Sequence, residues 1–250
     1  MSSSAETTDN PPNVTPAMRG YWWCGLICTV LAVCVLPLDR FLADPDNLRE
    51  LPGDLKRFVH LAETFAHGFG VLLIAAGIWL LAADKRQFIP RIALCAFWPS
   101  VGVHLIKTFI GRFRPLRYFD ENSHANFPSN ITETFLGFLP FDQINVIHAR
   151  QSFPSGHTAT VWGLAIGLAW VFPKGRLLFF SVALLASIQR VTSFAHWPSD
   201  VFFGAALAFI MAGALTENWG LGYYLGRFEN RNSTELKIAE TNEAEQKIAA

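Results

Sequence analysis

The stretch Gln151-Ser-Phe-Pro-Ser-Gly-His157-Thr-Ala-Thr160 decides how the chain around it is arranged. Its Pro-Ser-Gly sequence is typical of a tight turn that opens a helix, and His157 stands at the start of that helix. The residues that follow, up to Phe172, are almost all apolar. A helix N-terminus presents unpaired backbone N–H groups and favours an anion such as phosphate. The same turn would also serve as an ordinary solvated cap, so this stretch alone leaves both interpretations open.

The apolar run after His157 is one of several in a chain of unusually hydrophobic composition. Of the 250 residues, 51% are hydrophobic and only 16% are charged, and the formal net charge is zero. Blocks of roughly 17 to 25 apolar residues are typical of transmembrane helices. The balanced charge gives no indication of nucleic acid binding. Because all four cysteines lie inside apolar blocks, we expect free thiols and neither disulfides nor a metal site: Cys24, Cys28, Cys34 and Cys95.

The apolar blocks predict an all-α fold, a six-span transmembrane helical bundle. The six predicted spans are residues 21–36, 58–82, 89–110, 157–172, 177–194 and 198–215. Pro99 is expected to kink the third span. The polar flanks divide the chain into a disordered N-terminus at residues 1–18, a membrane domain at 19–220 and a polar tail at 221–250.

The distribution of basic residues predicts how the bundle is oriented. Six spans place both termini on one side, together with the short turns at 84–91 and 173–176, which are rich in Lys and Arg. Such an excess marks the cytoplasmic face. We therefore expect cytoplasmic termini and an active site at the extracytoplasmic face, periplasmic or extracellular. The expected location is the bacterial inner (plasma) membrane.

Three polar clusters converge on the outer ends of the predicted spans. Lys107 and Arg114 end the third span, and a continuous helix would place them on one face because they are seven residues apart. The Pro-Ser-Gly-His turn opens the fourth span. A third cluster joins the fifth and sixth spans, and its members are Arg190, His196 and Asp200.

These residue types suit the transfer of a phosphoryl group. One Lys and two Arg can neutralise its charge, and a His held by a carboxylate suits a nucleophile. A second His can protonate the leaving oxygen. Taken singly, each residue has an ordinary alternative: an interfacial cation, a helix-capping Asp200, or His196 as an interfacial anchor beside Trp197. Their presence together at one membrane depth favours a functional site.

The three clusters resemble the motifs of a known family. Lys107-x6-Arg114-Pro115, Pro154-Ser-Gly-His157 and Arg190-x5-His196-x3-Asp200 are similar, in order and spacing, to the three motifs of the type 2 phosphatidic acid phosphatase superfamily. The six-span layout resembles the membrane branch, the lipid phosphate phosphatases. The resemblance implies a phosphatase that works through a phosphohistidine without metal or cofactor. One departure is visible: the family often has Ser before the third-motif Arg, and this chain has Gln189.

The resemblance also implies a role for each motif residue. His196 would be the nucleophile and Asp200 would orient it. His157 would be the general acid and then the base that activates water. The phosphoryl oxygens would be bound by Lys107, Arg114, Arg190, Ser155 and Gly156.

We therefore predict an integral membrane hydrolase whose partners are the bilayer and a lipid phosphate or diphosphate, with no nucleic acid and no obligatory protein partner. Candidate substrates are polyprenyl diphosphate, phosphatidate or phosphatidylglycerol phosphate, and the phosphate groups of lipid A. One alternative is a phosphotransferase that passes the phosphoryl group to a second lipid. The other alternative is a catalytically silent lipid-binding or transport protein.

A further polar face lies in the second predicted span. His60, Glu63 and His67 follow one another at helical spacing. The first interpretation is support for neighbouring site residues, the second a headgroup pocket, and the third a metal site, which would need another convergent ligand. His104, one turn before Lys107, is expected to support the site from below.

Overall fold

The computed structural model describes residues 17–44, 52–119, 134–138 and 150–231. Residues 1–16 of the predicted disordered terminus and the tail beyond residue 231 lie outside these ranges, whereas residues 17 and 18, also predicted to be disordered, belong to the first helix. The helices are α1 (Ala17–Val35), α2 (Asp39–Leu42), α3 (Gly53–Glu63), α4 (Gly68–Leu81), α5 (Ile89–Phe109), α6 (Pro115–Tyr118), α7 (Gly156–Val171), α8 (Arg176–Thr192) and α9 (Pro198–Leu215). A last helix, α10, covers residues 220–231.

The described residues are mostly helical, in agreement with the predicted all-α fold, and they include one short two-stranded sheet. Two short strands, β1 (Ile110–Arg112) and β2 (Phe135–Phe138), pair antiparallel. Helix α5 ends at Phe109 because Ile110 takes extended dihedral angles, φ −117° and ψ 108°. The prediction that Lys107 and Arg114 lie on one face of a continuous helix is therefore wrong. Arg114 instead precedes α6 with an extended backbone.

Four described helices are long and apolar enough to cross a membrane, and they cover residues Gly20–Leu42, Ala83–Phe109, Pro173–Thr192 and Pro198–Leu215. A fifth span would combine Gly53–Ala66 with Gly68–Leu81, which meet at a bend of 76°. The second predicted span is thus broken. The break falls at His67, whose φ of −98° and ψ of 150° interrupt the helix. Because ψ leaves the helical region, α4 starts in a new direction.

Helix α7 forms the centre of the bundle, and α5, α8 and α9 pack against it. Its 16 residues make a helix of about 24 Å, shorter than the hydrocarbon core of about 30 Å. It is apolar on all sides and mostly buried, as expected for a helix surrounded by others. Gly163 permits the close approach to α5, since a Cβ there would lie 2.0 Å from the Cys95 carbonyl oxygen. The count of six spans stays a prediction.

The outer surface of the bundle is strongly apolar. Leu80, Leu81 and Leu177 have exposed fractions of 74%, 89% and 78%. Large exposed apolar surfaces of this kind mark contact with lipid or with another apolar partner. All four cysteines are free, as predicted.

Arg91, counted above among the basic residues of a short turn, is instead buried in the first turn of α5. Its Nε and Nη2 each donate to a Glu229 carboxylate oxygen at 2.7 Å, and Nη2 also donates to the Gly222 carbonyl at 3.0 Å. This bidentate pair fastens α10 to α5. Because Arg91 is not a free loop cation, it adds nothing to the charge bias that predicts the cytoplasmic face.

Candidate active site

Four helix ends meet at one end of the bundle, and all three motifs lie there. The C-terminal ends of α5 and α8 face the N-terminal ends of α7 and α9. The Ser155 backbone N–H donates to the Asp200 carbonyl at 3.0 Å, which joins the start of α7 to the start of α9. The Leu116 N–H donates to the Phe194 carbonyl at 3.0 Å, which joins the segment after α5 to the α8–α9 loop.

The Pro-Ser-Gly turn opens α7, as predicted. Ser155 is the N-cap residue, and its Oγ accepts hydrogen bonds from the Thr158 backbone N–H at 3.4 Å and from the Thr158 hydroxyl at 2.9 Å. Gly204 of α9 lies directly against this turn, because a Cβ there would sit 2.4 Å from the Ser155 carbonyl oxygen. The turn therefore packs tightly between the start of α7 and helix α9. The Ser155 hydroxyl serves as a cap, and its contact with phosphate stays a prediction.

His196 lies in the α8–α9 loop with only 1% of its surface exposed. The backbone N–H groups of Ala195 and His196 both donate to the Arg190 carbonyl, at 3.2 Å and 3.1 Å. Phe194 adopts a left-handed conformation, with φ of 55°, in the same turn. The backbone of Arg190 thus fixes where the His196 ring stands.

The His196 ring faces the Asp200 carboxylate. Pro198 is the first residue of α9, as predicted, and Nδ1 of His196 lies 3.7 Å from Oδ2 of Asp200, beyond hydrogen-bond distance. Burial lowers the pKa of His196 to about 4, and the Asp200 carboxylate opposes this shift. The imidazole is therefore neutral near pH 7, as a nucleophile must be.

Three donors hold the Asp200 carboxylate in place. Oδ2 accepts from the Ser152 hydroxyl at 2.5 Å and from the Trp197 backbone N–H at 3.0 Å, while Oδ1 pairs with Nη1 of Arg112. Asp200 is completely buried. Because it is fixed from three sides, it can orient a neighbouring ring without moving itself.

Arg112 and Asp39 are two buried charges that the sequence analysis missed. Nη2 of Arg112 donates to Oδ2 of Asp39 at 2.7 Å, and Nη1 donates to the Ser199 hydroxyl at 2.8 Å. Oδ1 of Asp39 in turn accepts the Ser199 backbone N–H at 2.9 Å, at the start of α9. We name Asp39, Arg112 and Asp200 the buried triad. Their positions in the sequence could have indicated a functional role, because Asp39 follows the first span and Arg112 lies inside the first motif, and ionisable residues at such places are often functional.

The three predicted phosphate-binding cations lie at the same end of the bundle as His196. The charges of Lys107 and Arg114 both act on His196, so both lie near its ring. Burial lowers the pKa of Arg114; the Asp200 carboxylate opposes that shift and Arg190 adds to it. Among the described residues the Lys107 ammonium has no hydrogen-bond or ion-pair partner. The structure brings these cations together, and their binding of phosphate stays a prediction.

The charges of Lys107, Arg190 and His196 also act on His157, which places it beside the same centre. The His157 ring meets the His67 ring edge to face, with centroids 4.7 Å apart. His157 of α7 and His196 of the α8–α9 loop therefore lie close to the same cations.

The polar face of α3 contacts the site as support, the first of its three interpretations. Glu63 pairs through Oε1 with Nη2 of Arg190, and its Oε2 accepts the Gln189 side-chain amide at 2.8 Å. His60 Nδ1 lies 3.1 Å from the same amide nitrogen. His67 Nε2 lies 3.5 Å from Oε1 of Glu63.

Glu63, His67 and His157 also bring one possible metal-ligating atom each within 4.8 Å of one another. Oε1 of Glu63, which lies 3.5 Å from Nε2 of His67, is already paired with Arg190. A divalent cation there would stand against a fixed guanidinium, and Coulomb repulsion opposes it.

His104 does not support the site, contrary to expectation. Its side chain is exposed, and its Nδ1 lies 2.7 Å from the Ser100 carbonyl of its own helix. Helix α5 therefore presents His104 and Lys107 in different directions.

One buried histidine, one partly exposed histidine, a fixed carboxylate and three cations thus lie at one end of an apolar helical bundle. The sequence profile described as PAP2 superfamily matches residues 89–220. The lipid A 1-phosphatase of Rhizobium etli is 34% identical over 208 residues, which cover 76% of this chain and 81% of that protein. The lipid A 1-phosphatase of Rhizobium johnstonii is 35% identical over 211 residues, which cover 76% of this chain and 77% of that protein.

Two solved structures are also similar. LpxE of Aquifex aeolicus has a TM-score of 0.49 and 21% identity, covering 73% of this chain and 93% of that chain. A PAP2-type phosphatidylglycerolphosphate phosphatase from Bacillus subtilis has a TM-score of 0.47 and 18% identity, and the match covers 81% of this chain and 97% of that chain. From the profile match and the Rhizobium relatives, the chain belongs to the PAP2 superfamily, and it is a membrane lipid phosphatase.

Proposed function

We propose that this phosphatase hydrolyses a lipid phosphate through a phosphohistidine on His196, and that a lipid A phosphate is the first substrate to test. The observation that carries the mechanism is the neutral, almost completely buried imidazole of His196, which faces a fixed carboxylate on one side and cations on the other. The Rhizobium relatives support lipid A among the candidates. Phosphatidate, phosphatidylglycerol phosphate and polyprenyl diphosphate remain in the comparison.

In the first half of the reaction, Nε2 of His196 attacks phosphorus and the bond from phosphorus to the lipid oxygen breaks. The leaving oxygen takes a proton from His157 and the free lipid alcohol departs. Nδ1 of His196 faces Asp200, so Nε2 is the nitrogen directed away from the carboxylate. Asp200 stabilises the positive charge that forms on the ring.

In the second half, His157 takes a proton from water and the resulting hydroxide attacks phosphorus. The bond from phosphorus to Nε2 breaks, inorganic phosphate is released, and the His196 imidazole is restored. Lys107, Arg114 and Arg190 neutralise the phosphoryl oxygens in both halves. The backbone N–H groups at Gly156, at the start of α7, add further donors.

An apolar cleft supports a lipid substrate. A cavity of about 490 Å³ lies between α4, α7 and α8, and its lining runs from Phe65, two residues beyond Glu63, to Phe172 at the other end of α7. Its walls are aliphatic and aromatic, among them Ile74, Leu164 and Val182. An acyl chain placed in this cleft would leave its phosphate near the cations.

We also propose the predicted orientation, with cytoplasmic termini and the four meeting helix ends at the outer face of the inner membrane. The proposed membrane domain covers residues 19–220. Modification of an introduced cysteine at Leu116, exposed beside the site, by an impermeant thiol reagent in intact cells tests this orientation. Labelling only after the cells are broken would place the site in the cytoplasm.

The catalytic proposal is tested by phosphate release from purified protein over a panel of lipid phosphates. We expect His196→Ala and His157→Ala to lower kcat by at least a thousandfold while both proteins remain folded. His104→Ala, at an exposed histidine outside the site, is the matched control. In a trapping experiment with ³²P-labelled substrate, the label should appear on the wild-type protein and be absent from His196→Ala. Full activity of His196→Ala, or transfer of the label to an added acceptor lipid and not to water, would contradict the proposal.

A further inference from the structure

Gln189 and Glu63 form a hydrogen-bonded unit around one edge of Arg190. The side-chain oxygen Oε1 of Gln189 accepts from Nε of Arg190 at 2.5 Å, and the side-chain nitrogen Nε2 of Gln189 donates to Oε2 of Glu63 at 2.8 Å. Oε1 of Glu63 pairs with Nη2 of Arg190. The three side chains thus close a ring in which each donor faces an acceptor.

The chemistry of this ring fixes the orientation of the Gln189 side chain. If the Gln189 amide were rotated, its N–H groups would face the guanidinium N–H groups and its oxygen would face the Glu63 carboxylate. Donor would then oppose donor, and acceptor would oppose acceptor. His60 Nδ1, 3.1 Å from the amide nitrogen, completes the set by accepting its second N–H. Gln189 is 1% exposed, so water does not replace these partners.

The ring leaves one part of the guanidinium for a ligand. Nε is used by Gln189 and Nη2 by Glu63, and in the described chain Nη1 has no hydrogen-bond partner. An arginine whose edge is held in this way presents its remaining donors in a fixed direction, and little entropy is lost when an anion binds.

We propose that Glu63 and Gln189 are positioning residues that hold Arg190 in its phosphate-binding orientation. Gln189 stands where the similar family motif often has Ser, and here its longer side chain reaches the α3 carboxylate. The pair acts through Arg190 and does not touch the reacting atoms. This inference rests on the proposed role of Arg190 as a phosphate ligand.

Exchange of the two side chains gives a sharp test. In Glu63→Gln, an amide faces the Gln189 amide and one of the two must rotate, so Arg190 loses a charge-assisted bond. In Gln189→Glu, two carboxylates face each other. In the double variant Glu63→Gln/Gln189→Glu, the carboxylate at position 189 accepts from Nε of Arg190 and from the amide N–H at position 63. The amide oxygen at position 63 accepts from Nη2 of Arg190, so the ring can form again.

We expect each single variant to raise KM for the lipid phosphate by about tenfold to a hundredfold, the effect of one lost bond to a charged group, with kcat lowered less than KM is raised. The double variant should recover at least half of that change on a logarithmic scale. Asp54→Asn is the matched control, since it converts a fully exposed carboxylate of the same helix into an amide and should leave both constants unchanged. The inhibition constants of orthovanadate, a phosphate mimic, should rank the variants in the same order as KM does.

The outcomes separate this inference from the proposed function. If Arg190→Ala raises KM but the single variants at positions 63 and 189 do not, the ring has no positioning role. A lower KM in Glu63→Gln would also overturn the inference, because it would show that Glu63 competes with phosphate for Arg190. Additive losses in the double variant would show that the two side chains act independently. If Arg190→Ala leaves KM unchanged, the proposed phosphate site itself is wrong.

Discussion

Arg112 offers the sharpest perturbation of the site, because it is the one cation of the buried triad. Asp39, Arg112 and Asp200 each have 0% of their surface exposed. In Arg112→Met, two buried carboxylates lose their shared counter-charge. Breaking a buried ion pair by removing one partner costs about 3–5 kcal/mol, against a total stability of about 5–15 kcal/mol. We therefore expect the free energy of unfolding to fall by at least about 3 kcal/mol, the lower end of that range.

The assay combines unfolding of the purified protein in mild detergent with steady-state phosphate release. Arg112→Lys keeps the positive charge but lacks the planar fork that reaches Asp39 and Asp200 together, so this variant should fold and lose at least tenfold in kcat. Adding Asp39→Asn to Arg112→Met removes one of the two unpaired charges. The double variant should be more stable than Arg112→Met by about 1–3 kcal/mol, a coupling that neighbouring charges typically show.

Arg57→Met is the control for Arg112→Met. Arg57 is 84% exposed and pairs with the exposed Asp54. Exposed ion pairs contribute about 0–1 kcal/mol, so this variant should unfold like the wild type. If Arg112→Met were as stable and as active as Arg57→Met, the buried triad could not be what holds Asp200. Equal stability of Arg112→Met with and without Asp39→Asn would refute the proposed charge balance.

Two further predictions concern packing and pH. Gly204→Ala should lower stability by about 1–3 kcal/mol and also lower kcat, because its Cβ would displace the Ser155 turn from α9. Gly20→Ala, where a Cβ has open space, is the control, and equal activity of the two variants would contradict the expectation. His196 has a folded pKa of about 4, below its usual 6.5, so between these pH values the unfolded chain takes up a proton that the folded protein does not. Stability should therefore fall by about 3 kcal/mol from pH 7 to pH 4 through this group. His196→Gln should remove that part of the decline, measured as the difference between the two unfolding curves; identical curves would disprove it.

The motif residues could be predicted from the sequence because their chemistry is local. The turn before His157 and the start of α9 at Pro198 follow from backbone preferences that a few residues carry. The clustering of Lys107, Arg114 and His196 followed from placing apolar spans side by side. A long-range pair such as Asp39 and Arg112, 73 positions apart in the chain, has no such local signal.

The break between α3 and α4 was missed for a different reason. Hydropathy reports the composition of a segment and not its direction, so residues 58–82 look like one span. The bend of 76° turns α3 so that Glu63 lies against Arg190 on α8. The polar spacing of His60, Glu63 and His67 was visible in the sequence, but its partner Gln189 could be identified only once α3 and α8 were packed together.

The charges of the site are arranged in two layers with His196 between them. Beneath the ring lies the buried triad, in which one arginine faces two carboxylates and leaves a net negative charge. Beyond the ring lie Lys107, Arg114 and Arg190, and Glu63 pairs with Arg190. In the proposed reaction, a phosphate dianion would be drawn to the outer, positive layer, and the His196 ring would become positive next to the inner, negative layer when it bonds to phosphorus. The same residues would therefore stabilise both the approach of the phosphate and the phosphohistidine that follows, because each charge that develops finds its opposite already fixed in place.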